Sequence, residues 1–536
     1  MYQPINTPQQ TVNLSLKAII EQKPWLVLLL LFFATYCVNL LLPRDLWVQD
    51  EMRYGEVVRE MLSTGNWLVP HLNGAPYPDK PALYFWIICI VSSLLGQGEF
   101  AFRIVSTLAT LLAGIGIFQV GNFIAGRQCG FWASVLFGSS LLTLIVGQIV
   151  RMDMLLTAMT IFSWLMLLHF DRNPQKRWLF GFWALCAFSL AIKGPISLLF
   201  TLLPGAIWII NKNGVASLSK LRPIIGLLAI LGLVAIWVLA VYQSGQGAYL
   251  STIWHQQLVG RTINSWSHKE PIYFYLLLLP ILIMPWVGPI LSGLTKAFKQ
   301  DHALSRSIII FAMVPLVGIS LVSGKLFIYL EPLVPALCVA GAMAIHPVDA
   351  KIKTSPWFSW PPVLYLLAMS GLIIYISQHY LNQTASHALW IAMATTTLAI
   401  MSAISTRFNF NHWLYATSMT SVIFSWLIFG GMTTLLNPLF SARALAHTVS
   451  EHAANTKPVA VINVTRGILN YYASRTFTEV DLSSAESWAT LHPDALLIIK
   501  TSDLATAFPN KVIPSSCKVN HTFQIELKEY HVLAQC

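Results

Sequence analysis

Strongly apolar stretches alternate with short polar loops along most of the chain. A helix needs about 20 predominantly apolar residues to cross a bilayer, and most of these stretches approach or exceed that length. They cover residues 25–43, 82–97, 103–124, 129–147, 152–170, 178–192, 195–210, 222–243, 272–294, 307–323, 326–345, 362–380, 388–405 and 413–436. The pattern predicts a polytopic α-helical membrane protein.

Basic residues in the loops predict the orientation, because loops rich in Lys and Arg lie on the cytoplasmic side. They fall in every second loop: Arg172, Lys176, Arg177, Lys212, Lys220, Arg222, Lys296, Lys299, Arg306, Lys351, Lys353 and Arg407. The intervening loops and the C-terminal region therefore face outward. With the N-terminus inside, the number of spans must be odd.

The stretch at 82–97 is the one that we expect not to cross. As a helix it would extend about 24 Å, against a hydrocarbon core of about 30 Å. It also ends in Gly96-Gln97-Gly98-Glu99 rather than in a basic loop. About 13 transmembrane helices remain, which places Arg127 inside and both Arg151 and Asp153 outside.

From residue 441 the composition becomes that of a globular domain. Strands are predicted at 459–464, 478–482, 495–500 and 523–527, with a short helix at 467–474. We therefore predict a transmembrane domain over residues 1–440 and a small α/β domain over residues 441–536. No glycine-rich loop follows the first strand, so nucleotide binding is not expected. Outside the cytoplasm, Cys517 and Cys536 are expected to form a disulfide.

The composition agrees with a membrane protein. Of the 536 residues, 56% are hydrophobic and 10% are charged, whereas soluble domains carry about 25% charged residues. The net charge of +11 is explained by basic cytoplasmic loops that face anionic membrane lipids, and no nucleic acid partner is expected. The remaining cysteines lie in apolar segments and are typical of small core residues.

Ionisable residues are concentrated in the first outer loop, from Arg44 to Lys80. Such groups are costly near a bilayer and usually mark function there. Within the loop, residues 51–62 form an amphipathic pattern whose apolar positions are Met52, Val57, Met61 and Leu62. The pattern predicts an interfacial helix that lies on the membrane.

Four charged clusters are predicted to meet at the outer membrane face. Carboxylates serve as bases or metal ligands, whereas Lys and Arg bind phosphate. The combination therefore favours a lipid phosphate substrate. The clusters are Asp50-Glu51 with Arg53 and Tyr54; Asp79-Lys80-Pro81; Arg151 with Asp153; and His255, Arg261, His268 and Glu270 with Lys325 and Tyr329.

These motifs resemble those of the 4-amino-4-deoxy-L-arabinose lipid A transferases, relatives of the protein O-mannosyltransferases with the class C glycosyltransferase fold. The matching residues are Asp50-Glu51-x-Arg53-Tyr54, Asp79-Lys80-Pro81, Arg151-x-Asp153 and Gly324-Lys325-Leu326-x-x-Tyr329-x-x-Pro332. The resemblance extends through residue 440. It implies inverting transfer of an aminoarabinose-type pentose from undecaprenyl phosphate to lipid A phosphate, on the periplasmic face of the bacterial inner membrane. Asp79 is a departure, because the family tends to have Glu there.

The resemblance also implies roles for individual residues. Asp50 is the leading catalytic carboxylate, with Asp153 as its partner and Glu51 completing the acidic pair. Lys80 is the leading ligand of the donor phosphate. The other expected substrate-binding residues are Arg53, Tyr54, Arg261, Lys325 and Tyr329.

Several alternatives stay open at this stage. His255 and His268 are typical of interface histidines, or they hold a divalent metal ion together with Asp79. The acceptor is lipid A or another periplasmic group, including a protein or glycan hydroxyl. A transporter or lipid flippase is a third class, but transporters tend to contain repeats and midplane charges, and no repeat is visible here.

Overall fold

The structure is a computed structural model. It describes residues 22–534 except 48, 256–268, 301, 346–355, 381–384, 409, 454–456 and 509–517.

Helices account for most of the chain up to Phe440. They are α1 Pro24–Leu40, α2 Gln49–Thr64, α3 Leu83–Leu95, α4 Glu99–Ala125, α5 Arg127–Gly138, α6 Leu141–Val146, α7 Asp153–Arg172, α8 Lys176–Lys193, α9 Leu202–Asn213, α10 Pro223–Gln243, α11 Gly247–Thr252, α12 Phe274–Leu282, α13 Val287–Lys299, α14 Ala303–Leu321, α15 Val334–Ile345, α16 Pro356–Tyr380, α17 Ala385–Ser405, α18 Phe410–Trp426 and α19 Thr433–Phe440. Short 3₁₀ segments at Pro195–Leu199 and Phe327–Leu333 precede α9 and α15.

Within the described residues, nine helices are long and apolar enough to cross a membrane, or ten if the bent pair α12–α13 is one span. This confirms the predicted fold class, and the count of 13 stays a prediction. Helix α3 has 13 residues, about 20 Å of helix. That length agrees with the expectation that this segment does not cross.

Two segments predicted as continuous are broken, which corrects the prediction. Residues 129–147 divide into α5 and α6 at Ser139 and Ser140, whose hydroxyls bond back to the carbonyls of Val135 and Leu136. Residues 272–294 bend by 117° between α12 and α13, at a proline that cannot continue a helix.

The two breaks pack against each other. The Leu141 N–H donates to the Met284 carbonyl at 2.8 Å, and the Trp286 indole donates to the Ser139 hydroxyl at 2.9 Å. Polar groups freed inside a membrane protein must find partners within it. The breaks provide those partners for one another.

The predicted interfacial helix forms as α2, but its apolar face does not lie on the membrane. Met52, Val57 and Met61 are at most 1% exposed. They belong to a core, here called the outer core, that joins the first outer loop and α3 to residues of the C-terminal domain. A protein layer therefore covers the face that we expected lipid to cover.

The C-terminal region folds as the predicted small α/β domain. After α20 (Arg443–His452), the strands are β3 Val459–Ile462, β4 Thr478–Val480, β5 Leu496–Lys500, β6 Lys518–Ile525 and β7 Lys528–Ala534; β1 His71–Leu72 and β2 Ala75–Pro76 form a separate hairpin in the first outer loop. The short helices of the domain are α21 Asn470–Ala473, α22 Ala485–Leu491 and α23 Leu504–Ala507.

The sheet order is β4-β3-β5-β7-β6. β3 is parallel to β4 and β5, whereas β7 is antiparallel to β5 and β6. The four predicted strands are present, and β7 is an additional one. Cys517 and Cys536 lie outside the described residues, so their disulfide stays a prediction.

Candidate active site

A chain of ion pairs crosses the outer side of the helical domain. Asp50 stands in the first turn of α2, and Asp153 begins α7. Arg151 joins them: its Nη1 donates to Asp50 Oδ2, and its Nε donates to Asp153 Oδ2 at 3.2 Å. Lys193, at the end of α8, donates to the other oxygen of Asp153. The predicted proximity of Asp50 and Asp153 is therefore present, with Arg151 between them.

Arg53 extends the chain at its more open end. One Arg53 nitrogen lies 3.6 Å from Asp50 Oδ1, and another lies 3.1 Å from Asp79 Oδ2. The guanidinium also stacks over the Tyr77 ring, 5.0 Å from its centroid. Lys80 is half-buried, and its charge acts on both Asp50 and Asp153. The second predicted cluster thus joins the first.

The cluster contains more positive than negative groups. Its cations are Arg53, Lys80, Arg151 and Lys193, and its carboxylates are Asp50, Asp79 and Asp153, so four charges face three. Burial alone would raise the pKa of Asp50, but the charges of Arg151, Lys80 and Arg53 outweigh it and hold that pKa below its usual range. Asp50 is therefore ionised at neutral pH, and the surplus positive charge suits a phosphate.

Glu51 occupies a different environment from Asp50. Its carboxylate is fully buried and accepts two bonds from the Arg44 guanidinium, at 2.7 and 3.0 Å. It also accepts the backbone N–H groups of Trp47 at 2.7 Å and Val150 at 2.6 Å. With both oxygens occupied, Glu51 ties the first outer loop to the segment before α7. We propose this bracing role in place of the catalytic role that we predicted.

Tyr329 and Lys325 also differ in their surroundings, as Asp50 and Glu51 do. Tyr329 lies at the cluster, with the Lys193 ammonium 4.3 Å from its ring centroid. Lys325 is 4% exposed and donates to the backbone carbonyls of Val322 at 2.6 Å and Glu270 at 2.9 Å. We propose that Lys325 holds the loop before Tyr329, rather than binding phosphate as predicted.

Tyr54 is buried beneath the cluster. Its ring packs edge-on against Tyr84 and Phe85, with centroids 5.9 and 5.3 Å away. Among the described residues its hydroxyl has no hydrogen-bond partner. The predicted role of Tyr54 in substrate binding stays a prediction.

The fourth predicted cluster is only partly described. His255 is exposed at the end of the segment after α10, whereas Arg261 and His268 lie outside the described residues. No group of three His, Cys, Asp or Glu side chains suited to a metal occurs in the described part of the chain. Asp79, the other predicted ligand, is paired with Arg53. The metal site stays a prediction, and no step is assigned to it.

Two ionisable residues of this region were not among the predicted site residues. The Lys193 side chain is 9% exposed, and its ammonium is the partner of Asp153. Glu331, two residues after Tyr329, is fully buried and accepts the Thr143 hydroxyl at 2.9 Å. The usable signal was a charged residue inside an apolar segment, which is a functional candidate by default.

Comparisons with known proteins identify the class of protein that the chain resembles. Residues 79–241 match a family described as dolichyl-phosphate-mannose-protein mannosyltransferase. Over 473 residues, the chain is 26% identical to an undecaprenyl phosphate-alpha-4-amino-4-deoxy-L-arabinose arabinosyl transferase of Aeromonas hydrophila subsp. hydrophila, covering 86% of this chain and 83% of that protein.

Two solved structures are similar to this chain in fold. ArnT from Cupriavidus metallidurans bound to undecaprenyl phosphate has a TM-score of 0.76 at 16% identity, covering 96% of this chain and 97% of that one. An Archaeoglobus fulgidus oligosaccharyltransferase tethered to an acceptor peptide has a TM-score of 0.53 at 11% identity, covering 96% and 74%.

The sequence relatives and the shared fold define a multi-pass membrane glycosyltransferase, which confirms the predicted class of enzyme. The predicted resemblance to the 4-amino-4-deoxy-L-arabinose transferases, with their protein O-mannosyltransferase-like fold, is confirmed as well.

Proposed function

We propose that the protein transfers an aminoarabinose-type pentose, with inversion, from undecaprenyl phosphate to a phosphate group of lipid A. The observation that carries the proposal is the charged cluster around Asp50, where four cations face three carboxylates in an otherwise apolar protein. The names of the sequence relatives support the donor and the sugar. The periplasmic face of the bacterial inner membrane is the proposed location.

The donor phosphate is proposed to lie against Lys80 and Arg53. These cations stand at the more open end of the cluster; the Arg53 side chain is 20% exposed, whereas that of Arg151 is 9% exposed. During transfer, an oxygen of the acceptor phosphate bonds to the sugar C1 while the bond between C1 and the donor phosphate oxygen breaks, and the electron pair of the broken bond stays on the donor oxygen. Cations that meet the developing charge make the lipid phosphate a good leaving group.

The low pKa of Asp50 favours a phosphate acceptor over a hydroxyl. A hydroxyl must lose a proton as it attacks C1, and a carboxylate whose pKa lies below its usual range is a weak base. A phosphate acceptor is already anionic and needs no base. Asp50 then orients the reactants and balances the charges of Arg53 and Arg151.

The test is transfer by purified protein with undecaprenyl-phosphate aminoarabinose as donor and lipid A as acceptor. We expect lipid A to gain the mass of one pentosamine residue. Asp50→Asn should abolish transfer while the apparent Tm is retained, and Lys80→Ala should raise the donor KM at least tenfold. Sugar found on a protein or glycan, with lipid A unmodified, would exclude the proposed acceptor.

Full transfer by Asp50→Asn would remove Asp50 from the mechanism, and an unchanged donor KM in Lys80→Ala would remove Lys80 from the phosphate site. Lys325→Ala serves as a contrast for the second result. We expect it to lower the apparent Tm rather than to raise the donor KM selectively, because Lys325 bonds to backbone carbonyls.

A further inference from the structure

A crevice of about 320 Å³ opens at one end of the C-terminal sheet, beyond the carboxyl ends of β3 and β5. From β3 the chain continues to β4 on one side, and β5 then lies on the other side of β3. The order of strands therefore reverses between β3 and β5, which are parallel neighbours. In open α/β sheets, ligands bind outside the carboxyl ends of the strands at such a reversal.

The carboxylates that line the crevice are engaged by neighbouring side chains. Asp503 accepts from Asn463 Nδ2 at 2.7 Å and from the Ser502 hydroxyl at 3.0 Å. Glu529 accepts from the Thr501 hydroxyl at 3.0 Å. Both carboxylates therefore already accept hydrogen bonds from uncharged side chains of the protein.

Two lysines add positive charge to the same crevice. Lys500 ends β5, and Lys528 begins β7, the antiparallel neighbour of β5. Within the described part of the chain, neither ammonium forms an ion pair. Lysines grip phosphate as point charges, and hydroxyl, amide and carboxylate groups exchange hydrogen bonds with sugar hydroxyls.

The crevice lies beside the helical domain. Glu526 and Leu527 directly precede Lys528, and both contact that domain. The Glu526 carboxylate accepts the Gln49 backbone N–H at 2.7 Å, and the Leu527 N–H donates to the Leu439 carbonyl at 3.3 Å. This end of the sheet is therefore placed next to the start of α2.

We propose that the crevice binds a phosphorylated saccharide, with Lys500 and Lys528 on the phosphate and the polar side chains on the sugar. The saccharide comes from one of two sources, the headgroup of the acceptor glycolipid or a free sugar phosphate. The first source rests on the proposed function, whereas the binding site itself does not.

The binding test uses the full-length protein in detergent, in a Lys80→Ala background that weakens the proposed donor site. Glucosamine 1-phosphate is the probe, with neutral glucosamine for comparison, and affinity is measured by calorimetry. We expect the sugar phosphate to bind and K500Q/K528Q to weaken it at least tenfold. K457Q is the matched control. Lys457 is exposed just before β3, at the end of the sheet opposite to the crevice.

Equal affinity in K500Q/K528Q and K457Q, with both folded by thermal shift, would overturn the site. The site would also be overturned if glucosamine 1-phosphate bound to none of the three proteins. Tighter binding of neutral glucosamine than of its phosphate would remove the role of the lysines.

A second measurement separates the two sources. In a Lys80 wild-type background, K500Q/K528Q should raise the KM for lipid A and leave the donor KM unchanged if the headgroup occupies the crevice. Loss of probe binding with an unchanged acceptor KM would assign the crevice to a free sugar phosphate. If the unmodified protein transfers no sugar, the proposed function fails, and the calorimetric result still decides the crevice.

Discussion

Asp50 and Glu51 are adjacent in the sequence, yet their surroundings differ. The Asp50 side chain is 19% exposed and lies among three cations of the site. Glu51 is 0% exposed and accepts four hydrogen bonds from Arg44 and two backbone N–H groups. We propose that Asp50 meets a substrate and that Glu51 holds the loop around it.

Replacement of Glu51 by Gln is expected to destabilise the protein. The change leaves Arg44 buried without its counter-charge, and breaking a buried pair in this way costs about 3–5 kcal/mol. The apparent Tm in detergent should fall well below that of wild type, and the yield of folded protein should fall with it. Asp50→Asn is the matched control, expected to lose activity at a nearly unchanged Tm. A Glu51→Gln protein with wild-type Tm and no transfer would restore the catalytic role to Glu51.

At this scale the sequence predicted which charged residues gather, but not how they pair. Asp50, Asp79, Lys80, Arg151 and Asp153 could be grouped because each was assigned to the outer face. The pairing itself depends on contacts between residues far apart in the chain: Asp50 and Arg151 are 101 positions apart, and Asp153 and Lys193 are 40 apart. No local pattern encodes those distances.

Among the elements, α2 is held at its start by the β6–β7 hairpin. The turn residues Glu526 and Leu527 have φ values of +51° and +63°, a conformation usually left to Asn and Gly in such turns. Strain of this kind persists where surrounding contacts impose it. Here the contacts are the bonds to Leu439 and to Gln49, the residue immediately before Asp50.

Glu526→Ala is expected to impair catalysis from a distance. It removes two acceptors from the start of α2, and loss of a helix cap costs about 1 kcal/mol. If that loss falls on the placement of Asp50, kcat should drop roughly fivefold, while the donor KM changes little. Asp494→Ala, at an exposed position of the same domain, should keep the wild-type kcat. Equal rates in the two variants would show that the hairpin does not position α2.

The membrane helices were predictable from the length of their apolar stretches and α2 from its amphipathic pattern, whereas the helix breaks and the burial of α2 were not. The α5–α6 and α12–α13 breaks satisfy one another across the fold. Each break therefore depends on a partner that its own sequence does not contain. The apolar face of α2 was recognisable, but a face suited to lipid is equally suited to a protein layer.

For the whole molecule, the contacts agree with the predicted parity of the spans. Asp50, Asp153 and Lys193 meet on one side of the helical domain, and the C-terminal domain packs on the same first outer loop. The alternation of basic loops predicts that the first outer loop and the C-terminal domain lie on the same side of the membrane.

Cysteine labelling can test the orientation. In a protein lacking Cys517 and Cys536, single cysteines replace Arg127, His255 or Ser502, all of which are exposed. In intact spheroplasts, an impermeant maleimide should label the variants at 255 and 502, and the variant at 127 only after lysis. Labelling of 127 and 502 from the same side would exclude the odd number of spans that is predicted between these two positions.

The outer core also sets an order of events during synthesis. Gln49 and Glu526 are separated by 477 residues, and ribosomes add about 5–20 residues per second, so roughly 25 to 95 seconds pass between the two. Throughout that interval α2 lacks the Glu526 acceptor at its start, and the outer core lacks the residues that β7 contributes. We therefore expect the nascent chain to hold Asp50 and Asp153 before α2 is fully placed, and to become active only after the β6–β7 hairpin has been made.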